Sequence, residues 1–372
     1  MRKTYKYRLL GNKAMFRTAD TWLLLCRRLY NAALEQRITI YRQDKSSISC
    51  YSQMKQLPEL KADFPEYGDI GSQVLQEVLD RLDKAYKAFF RRIKNGEKPG
   101  FPRFKGRDRY DSFTLSQSGW KLDGKYLSIR NIGRFKLKLS RQIAGDIKTV
   151  TIRREATGKW YVCFSCDNVP EKKAPESNKV IGMDVGISSF LVDSEGNRVE
   201  NPQYYREGEK ILRRRQRILC RRAKGSNGRR QARVLVAKAH EKVKNQRSDF
   251  LHKVANHYIA NYGVICVEDL NIKGMVRNHH LARSISDASW GMFIELVEYK
   301  AEEAGRKLIR IPRFEPSSKT CSECGAINQE LKLSDRQWVC KSCGVLHDRD
   351  YNAAKNINRA GQALQELTYA VV

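Results

Sequence analysis

Three carboxylates set against apolar segments and four cysteines in paired spacing are the residues through which this chain can do chemistry. Asp184 lies inside Val180-Ile-Gly-Met-Asp-Val-Gly186, flanked by Met183 and Val185, where a carboxylate is costly to bury without a compensating partner. A bound cation is one such partner. Glu268 closes the apolar run Val264-Ile-Cys-Val267, and Asp350 opens a helical pattern through Ala353, Ile357 and Ala360. If the two strands are neighbours and the helix docks across them, three carboxylates meet. Oxygen-only ligands favour Mg2+ or Mn2+ over zinc. Such ions, about 3.5 to 4 Å apart in a two-metal scheme, activate water and stabilise the leaving oxygen of a phosphodiester. On residue chemistry alone another reading stands beside this one, with Asp184 a salt-bridged core residue and Asp350 a helix N-cap.

Cys321, Cys324, Cys340 and Cys343 follow C-x2-C, fifteen residues, C-x2-C, the spacing of two knuckles that close one four-thiolate zinc site. Gly325 and Gly344, each just after a knuckle, can take the positive φ that turns backbone N–H groups toward the sulfurs. A closed thiolate site leaves no position for substrate, so this zinc is structural and holds a small ribbon together. Cys163 and Cys166 share the C-x2-C spacing but fall in a strand pattern, where side chains three apart point to opposite faces. With Cys26, Cys50, Cys220 and Cys266 they read as ordinary reduced cysteines, as expected of a reducing compartment.

The elements that must position these groups sit in a strongly basic chain. Its 372 residues carry 71 Lys and Arg against 41 Asp and Glu, a net charge of +30 that points to a polyanionic partner. The densest stretch, Arg206 to Arg247, has sixteen Lys or Arg against three Glu and reads as two helices joined at Lys224 to Gly228. It is too one-signed for stabilising i,i+4 pairs, which makes Arg213, Arg214, Arg215, Arg221, Arg222, Arg229 and Arg230 candidate phosphate contacts. The first residues are too charged for a secretory signal, and no apolar run nears the eighteen or so residues that span a bilayer. A cytoplasmic protein without a membrane partner is expected.

Along the chain, Lys3 to Leu10 alternates as a strand, Trp22, Leu25, Leu29 and Ala33 mark a first helix, and Ser72 to Ile93 a second. A short helix fits around Gln53 to Leu57. Residues 105–169 read as strands that join the N-terminal strand in a barrel, and 170–179 as a linker. Thereafter strands and helices alternate: a strand at Val180, a hairpin over Phe190 to Val199, the basic helical pair, a strand ending in Glu268, a helix from about Ala288 to Glu303, a strand over Lys307 to Ile311, and a helix from Asp350.

The motifs Gly182-Met-Asp-Val-Gly186, Val267-Glu-Asp-Leu270, Ser286-Asp-Ala-Ser-Trp-Gly291, Ser317-Ser-Lys-Thr-Cys-Ser-Glu-Cys-Gly325 and His347-Asp-Arg-Asp-Tyr-Asn-Ala-Ala-Lys-Asn356 resemble the RuvC-like nuclease domain of TnpB. These are transposon-associated, RNA-guided DNA endonucleases related to type V CRISPR effectors. The likeness extends through Lys3 to Arg8, Leu75-Gln76, Ala85 to Phe90 and Gly100 to Lys105, in family order. It implies a multidomain α+β chain: a wedge β-barrel (1–14 and 105–169) with a helical recognition insertion (15–104), a linker (170–179), and an RNase H-like RuvC nuclease (180–313 and 347–372). The nuclease would carry the basic helical pair 206–260 and be interrupted by a zinc ribbon (314–346) that binds target nucleic acid.

The same resemblance maps the catalytic, Mg2+-binding acids onto Asp184, Glu268 and Asp350, with Asp350 rather than Asp348 matching the family's D-x-N-A acid. It implies a guide RNA (omega RNA) drawn from the transposon end, and cleavage of complementary double-stranded DNA beside a short adjacent motif. One protein per RNA, in the cytoplasm at the nucleoid of a prokaryote, is the expected assembly. RNA pairing would read sequence while protein reads duplex shape and the motif, for which Tyr51, Gln76 and Thr114 are candidates by analogy. Two other functions use the same basic surface: a non-cleaving regulator such as a repressor, which has no need of the acid set, and a strand-joining transposase.

Overall fold

The computed structural model describes residues 1–107, 109–171, 174–332 and 334–370, with the side chains of 368–370 left aside. The chain divides into two compact units, Met1–Pro170 and Glu171–Val372. Lys172 and Lys173 of the expected linker, and Asp108, Leu333, Val371 and Val372, lie outside the described residues.

The first unit opens with β1 (Lys3–Leu10), whose inward residues Tyr5, Tyr7 and Leu9 are buried, as its alternation requires. Asn12 caps α1 (Lys13–Asp44) by accepting a hydrogen bond from the Met15 amide, and the helix buries Trp22, Leu25, Leu29 and Ala33. The short helix expected around Gln53 to Leu57 is two helices, α2 (Cys50–Lys55) and α3 (Leu57–Asp63), because Pro58 starts a new helix at its first turn. α4 (Ser72–Lys94) buries Val74, Leu75, Val78, Leu79 and Leu82 on one face.

Six strands follow: β2 (Ser112–Leu115), β3 (Trp120–Asp123), β4 (Tyr126–Ile129), β5 (Gly133–Lys138), β6 (Asp146–Arg154) and β7 (Trp160–Asp167). With β1 they form one antiparallel sheet in the order β2-β6-β7-β1-β5-β4-β3. Among the described residues β2 and β3 remain its edges, so the expected barrel is not closed by hydrogen bonds. In β7 Cys166 is fully buried and Cys163 lies on the other, half-exposed face, as the strand period dictates.

The second unit is built on a five-stranded sheet, β10-β9-β8-β11-β12. β8 (Val180–Val185) pairs antiparallel with β9 (Ser189–Asp193), which pairs with β10 (Arg198–Glu200). On its other side β8 lies parallel to β11 (Val264–Glu268), and β11 parallel to β12 (Lys307–Ile311). Parallel neighbours need long crossovers. α5 (Tyr204–Arg221) and α6 (Asn227–Asn261) lie between β10 and β11; α7 (Ile272–Met275), α8 (Ala282–Ala288) and α9 (Trp290–Ala304) lie between β11 and β12.

The helix expected from about Ala288 to Glu303 is α9; the short α8 before it was not expected, and Ser289, with φ of 61°, ends α8 and lets α9 start in a new direction. Phe190, Phe293, Val297, Tyr258 and Leu251 join these helices to one face of the sheet. A two-stranded ribbon, β13 (Gln337–Val339) with β14 (Leu346–Asp348), precedes α10 (Arg349–Ala370), which runs a further ten residues past Ala360.

α10 lies against β8 and β11 because two glycines let it. A Cβ on Gly182 would collide with the Ala354 carbonyl and the Asn358 amide, and one on Gly361 would collide with the Cys266 sulfur. Ala353, Ala354 and Ile357 are buried in that contact.

Candidate active site and zinc ribbon

Asp184 sits in the last turn of pleat of β8, Glu268 ends β11 and Asp350 stands in the first turn of α10. The parallel register of β8 with β11, Met183 opposite Val267, sets the first two at the same end of adjacent strands. Docking of α10 brings the third. Burial pushes the Asp184 carboxyl well above the usual carboxylate range, and the nearby negative charges of Glu268 and Asp350 push it further, opposed by Arg349. Burial likewise raises Glu268, opposed by the hydrogen bond it accepts from Ser317. Glu268 and Asp350 thus lie near enough for their charges to act on Asp184, which makes the three carboxylates the candidate site.

Two observations bear on the alternative readings of single residues. The side chain that caps α10 is Asp348, which accepts a hydrogen bond from the Tyr351 amide at 3.0 Å. Asp350 is therefore free of that role. Among the described residues no ion pair engages Asp184.

The other two acids have protein partners. Ser317 Oγ donates to Glu268 Oε1 at 2.5 Å. Arg349 reaches Asp350 at 3.0 Å and Arg336 at 3.6 Å. Ser317, buried at the head of the ribbon, is itself tied to α10: Asn356 Nδ2 donates to the Ser317 carbonyl at 2.8 Å and to that of Thr320 at 2.6 Å, and Asn352 Nδ2 to Thr320 at 2.7 Å. These positioning residues escape motif reading as roles, although the i,i+4 spacing of Asn352 and Asn356 puts both on one helix face, a signal that two buried amides share a target.

The four cysteines come together as their spacing requires, with ligand atoms all within 4.8 Å of one another. Cys321 and Cys343 sulfurs are 3.7 Å apart, and Cys324 and Cys340 3.6 Å. Thiolates about 2.3 Å from a tetrahedral zinc stand at about that separation, so the donor set fits the ion. Gly325 and Gly344 adopt φ of 79° and 73°. The Cys343 amide, with Ser342 adding and burial opposing, draws the Cys340 thiol down to about 6. His347, missed by the spacing argument, places Nε2 3.0 Å from the Cys321 sulfur while its ring packs on Trp338 at 4.8 Å. Among the described residues the cysteines are the only such group, so the three acids do not close to that spacing.

The basic pair is α5 and α6. Arg214, Arg221, Arg222 and Arg230 are exposed, whereas other candidates are committed to the fold. Arg215 donates to the Leu235 carbonyl, Arg229 to those of Leu219 and Arg222, all at 2.8 Å, and Arg213 pairs with Glu209 at 2.8 Å. Gln203 leaves the start of α5 uncapped, and Asp287 supplies what is missing by accepting from the Tyr205 and Arg206 amides at 2.9 and 3.1 Å and from Arg247 at 2.7 Å. In the first unit, Tyr51 is exposed on α2, Gln76 exposed on α4, and Thr114 on β2 shares a 3.0 Å hydrogen bond with Thr151. No hydrogen bond joins the three among the described residues.

Two family models match the chain: one described as "Probable transposase" over residues 163–279, and one described as "Cas12f1-like, TNB domain" over 290–357. A Streptomyces pristinaespiralis protein named "Putative RNA-guided DNA endonuclease" is 32% identical over 370 residues, 98% of this chain and 90% of its own length. InsQ of Escherichia coli K12, named in the same way, is 30% identical over 80% of this chain and 76% of its own length. Cas12f1 of Sulfoacidibacillus thermotolerans, a "CRISPR-associated endodeoxyribonuclease", is 28% identical over 60% and 56%.

Proposed function

This chain belongs to the TnpB family of RNA-guided DNA endonucleases, and on that premise we propose that it binds a transposon-derived guide RNA and hydrolyses phosphodiester bonds of matching double-stranded DNA beside a short motif. The observation that carries the reading is the convergence of Asp184, Glu268 and Asp350, in which burial and then the charges of the other two acids raise the proton affinity of Asp184. Sheet order β10-β9-β8-β11-β12, antiparallel at one side and parallel at the other, supports an RNase H-like nuclease over 180–313 and 347–372. The four helices between β1 and β2 support a wedge sheet (1–14 and 105–169) carrying a recognition insertion (15–104), and the cysteine cluster a ribbon over 314–346.

The acids offer oxygen ligands only, which suits Mg2+ or Mn2+. When bound there, such an ion lowers the pKa of water and neutralises charge on the phosphate. Asp184 must lose its proton to serve as a ligand, and the hydroxyl of Ser317 holds one oxygen of Glu268 in place. Arg336 and Arg349 are the cations Asp350 must release or share. Zinc in the ribbon fixes the loop from which Ser317 acts. Exposed Arg214, Arg221, Arg222 and Arg230 are assigned to phosphate contacts, and Tyr51, Gln76 and Thr114 to the motif. One protein per RNA is expected. No helix of the described residues is long and apolar enough to cross a membrane.

The test is expression with the native flanking DNA, sequencing of the co-purified RNA, and cleavage of a plasmid matched to its 3' segment. One defined RNA and cutting that is abolished by Asp184→Ala, Glu268→Gln or Asp350→Ala, with RNA retained, is the expected result. Heterogeneous RNA, or cutting that survives the substitutions, would overturn it.

A further inference from the structure

Phe314 is the most exposed large apolar side chain among the described residues, at 92%. It sits at the tip of a turn between β12 and the ribbon, closed by the Glu315 amide donating to the Pro312 carbonyl at 3.1 Å. The turn is stiff. Pro312 and Pro316 fix their own φ and restrict Ile311 and Glu315 to extended backbone. Both ends are also clamped to the catalytic strand: Arg313 donates to Asp269 twice, at 3.1 and 2.7 Å, and Ser317 to Glu268 at 2.5 Å.

A ring on a rigid, twice-clamped turn is held in water by design of the backbone rather than by looseness. Three peptide units separate Phe314 from Ser317, a span of at most about 11 Å. Phe314 is therefore carried by the same short turn as the residue that hydrogen-bonds Glu268. Its chain neighbours are Arg313 and Glu315, which argues against an apolar protein contact. A base presents a flat π-face of matching size, and aromatic side chains on single-stranded nucleic acid bind in this way without reading sequence.

We infer that Phe314 stacks on a nucleobase of the DNA strand entering the carboxylate site and so sets where that strand lies for cutting. This rests on the nuclease reading and deepens it. The test uses guide-loaded protein carrying Asp184→Ala, bound to target DNA with 2-aminopurine placed at successive positions of each strand. Quenching at one position is expected, retained in Phe314→Trp and lost in Phe314→Leu, which keeps bulk but not the π-face. In the cleaving protein Phe314→Leu should slow single-turnover cutting about ten- to hundredfold, the range stacking commands, with target affinity and melting temperature unchanged. Quenching and cutting by Phe314→Leu equal to the parent's would overturn the inference. A parent that does not cut would instead overturn the nuclease reading. The fluorescence of a single-stranded probe on the purified protein would still decide the stacking.

Discussion

On the proposed function Ser317 is a positioning residue, since its hydroxyl reaches the proposed ligand Glu268. Ser317→Ala removes a hydrogen bond to a charged group, worth about 1.5 to 3 kcal/mol, and leaves Glu268 to turn in the cleft. Single-turnover cutting should fall at least about tenfold while guide RNA still binds, and Ser317→Thr should restore most of it. The sign of Asp184's effect on stability follows from its raised pKa. The folded chain holds that proton to higher pH than the unfolded chain does, so its charge costs stability above the unfolded value, fully so above the folded one. Asp184→Asn should therefore melt at higher temperature than the parent in Mg2+-free buffer at neutral pH. The difference should shrink as pH falls toward 4, and a variant that melts lower at every pH would contradict the account.

Among the elements, α10 joins the sheet to the ribbon, and its position depends on Gly182 and Gly361 having no side chain. Gly182→Ala forces a methyl into the Ala354 carbonyl, where overpacking typically costs about 1 to 3 kcal/mol. Thermal denaturation should register that loss, and cutting should fall because Asp350 moves with the helix. Asn352 and Asn356 bind the ribbon's first loop to the same helix. Cys324→Ser should release zinc, detected by a colorimetric chelator, and lower cutting through the loosened Ser317 loop although no cysteine touches the carboxylates.

At the scale of the whole molecule the net charge of +30 governs association. Each phosphate neutralised releases counterions, giving a slope near −0.7 per contact on single strands and −0.9 on duplex. Replacing Arg214, Arg221 and Arg230 by Gln should flatten the salt dependence of RNA binding by about two units, measured by titration at several ionic strengths. Arg229→Gln should differ in kind, lowering stability, because that side chain holds the Leu219 carbonyl at the end of α5 and the Arg222 carbonyl just after it.

What the sequence determined by itself were features written in local spacing. Two C-x2-C pairs specify one tetrahedral cluster, because four thiolates a few residues apart have few other ways to meet. Alternating and helical periods specify β1, α1, α4, β8 and β11, because burial of one face repeats every two or 3.6 residues. Charge composition specifies a polyanion partner, and the ordered motifs specify the family.

Tertiary structure decided the rest, because it depends on atoms far apart in the chain. Which of Asp348 and Asp350 caps the last helix was settled by where α10 begins, and the break at Ser289 by a backbone angle no period reveals. Asp287 as the cap of α5 lies some eighty residues from the amides it accepts, with no spacing rule to join them. The basic run looked uniform until packing divided it into arginines turned to water and arginines holding carbonyls. Glu268 received its partner Ser317, and Asp350 its partner Arg336, only once the ribbon folded against the helix, since hydrogen bonds are made by geometry and sequence carries only the groups that make them.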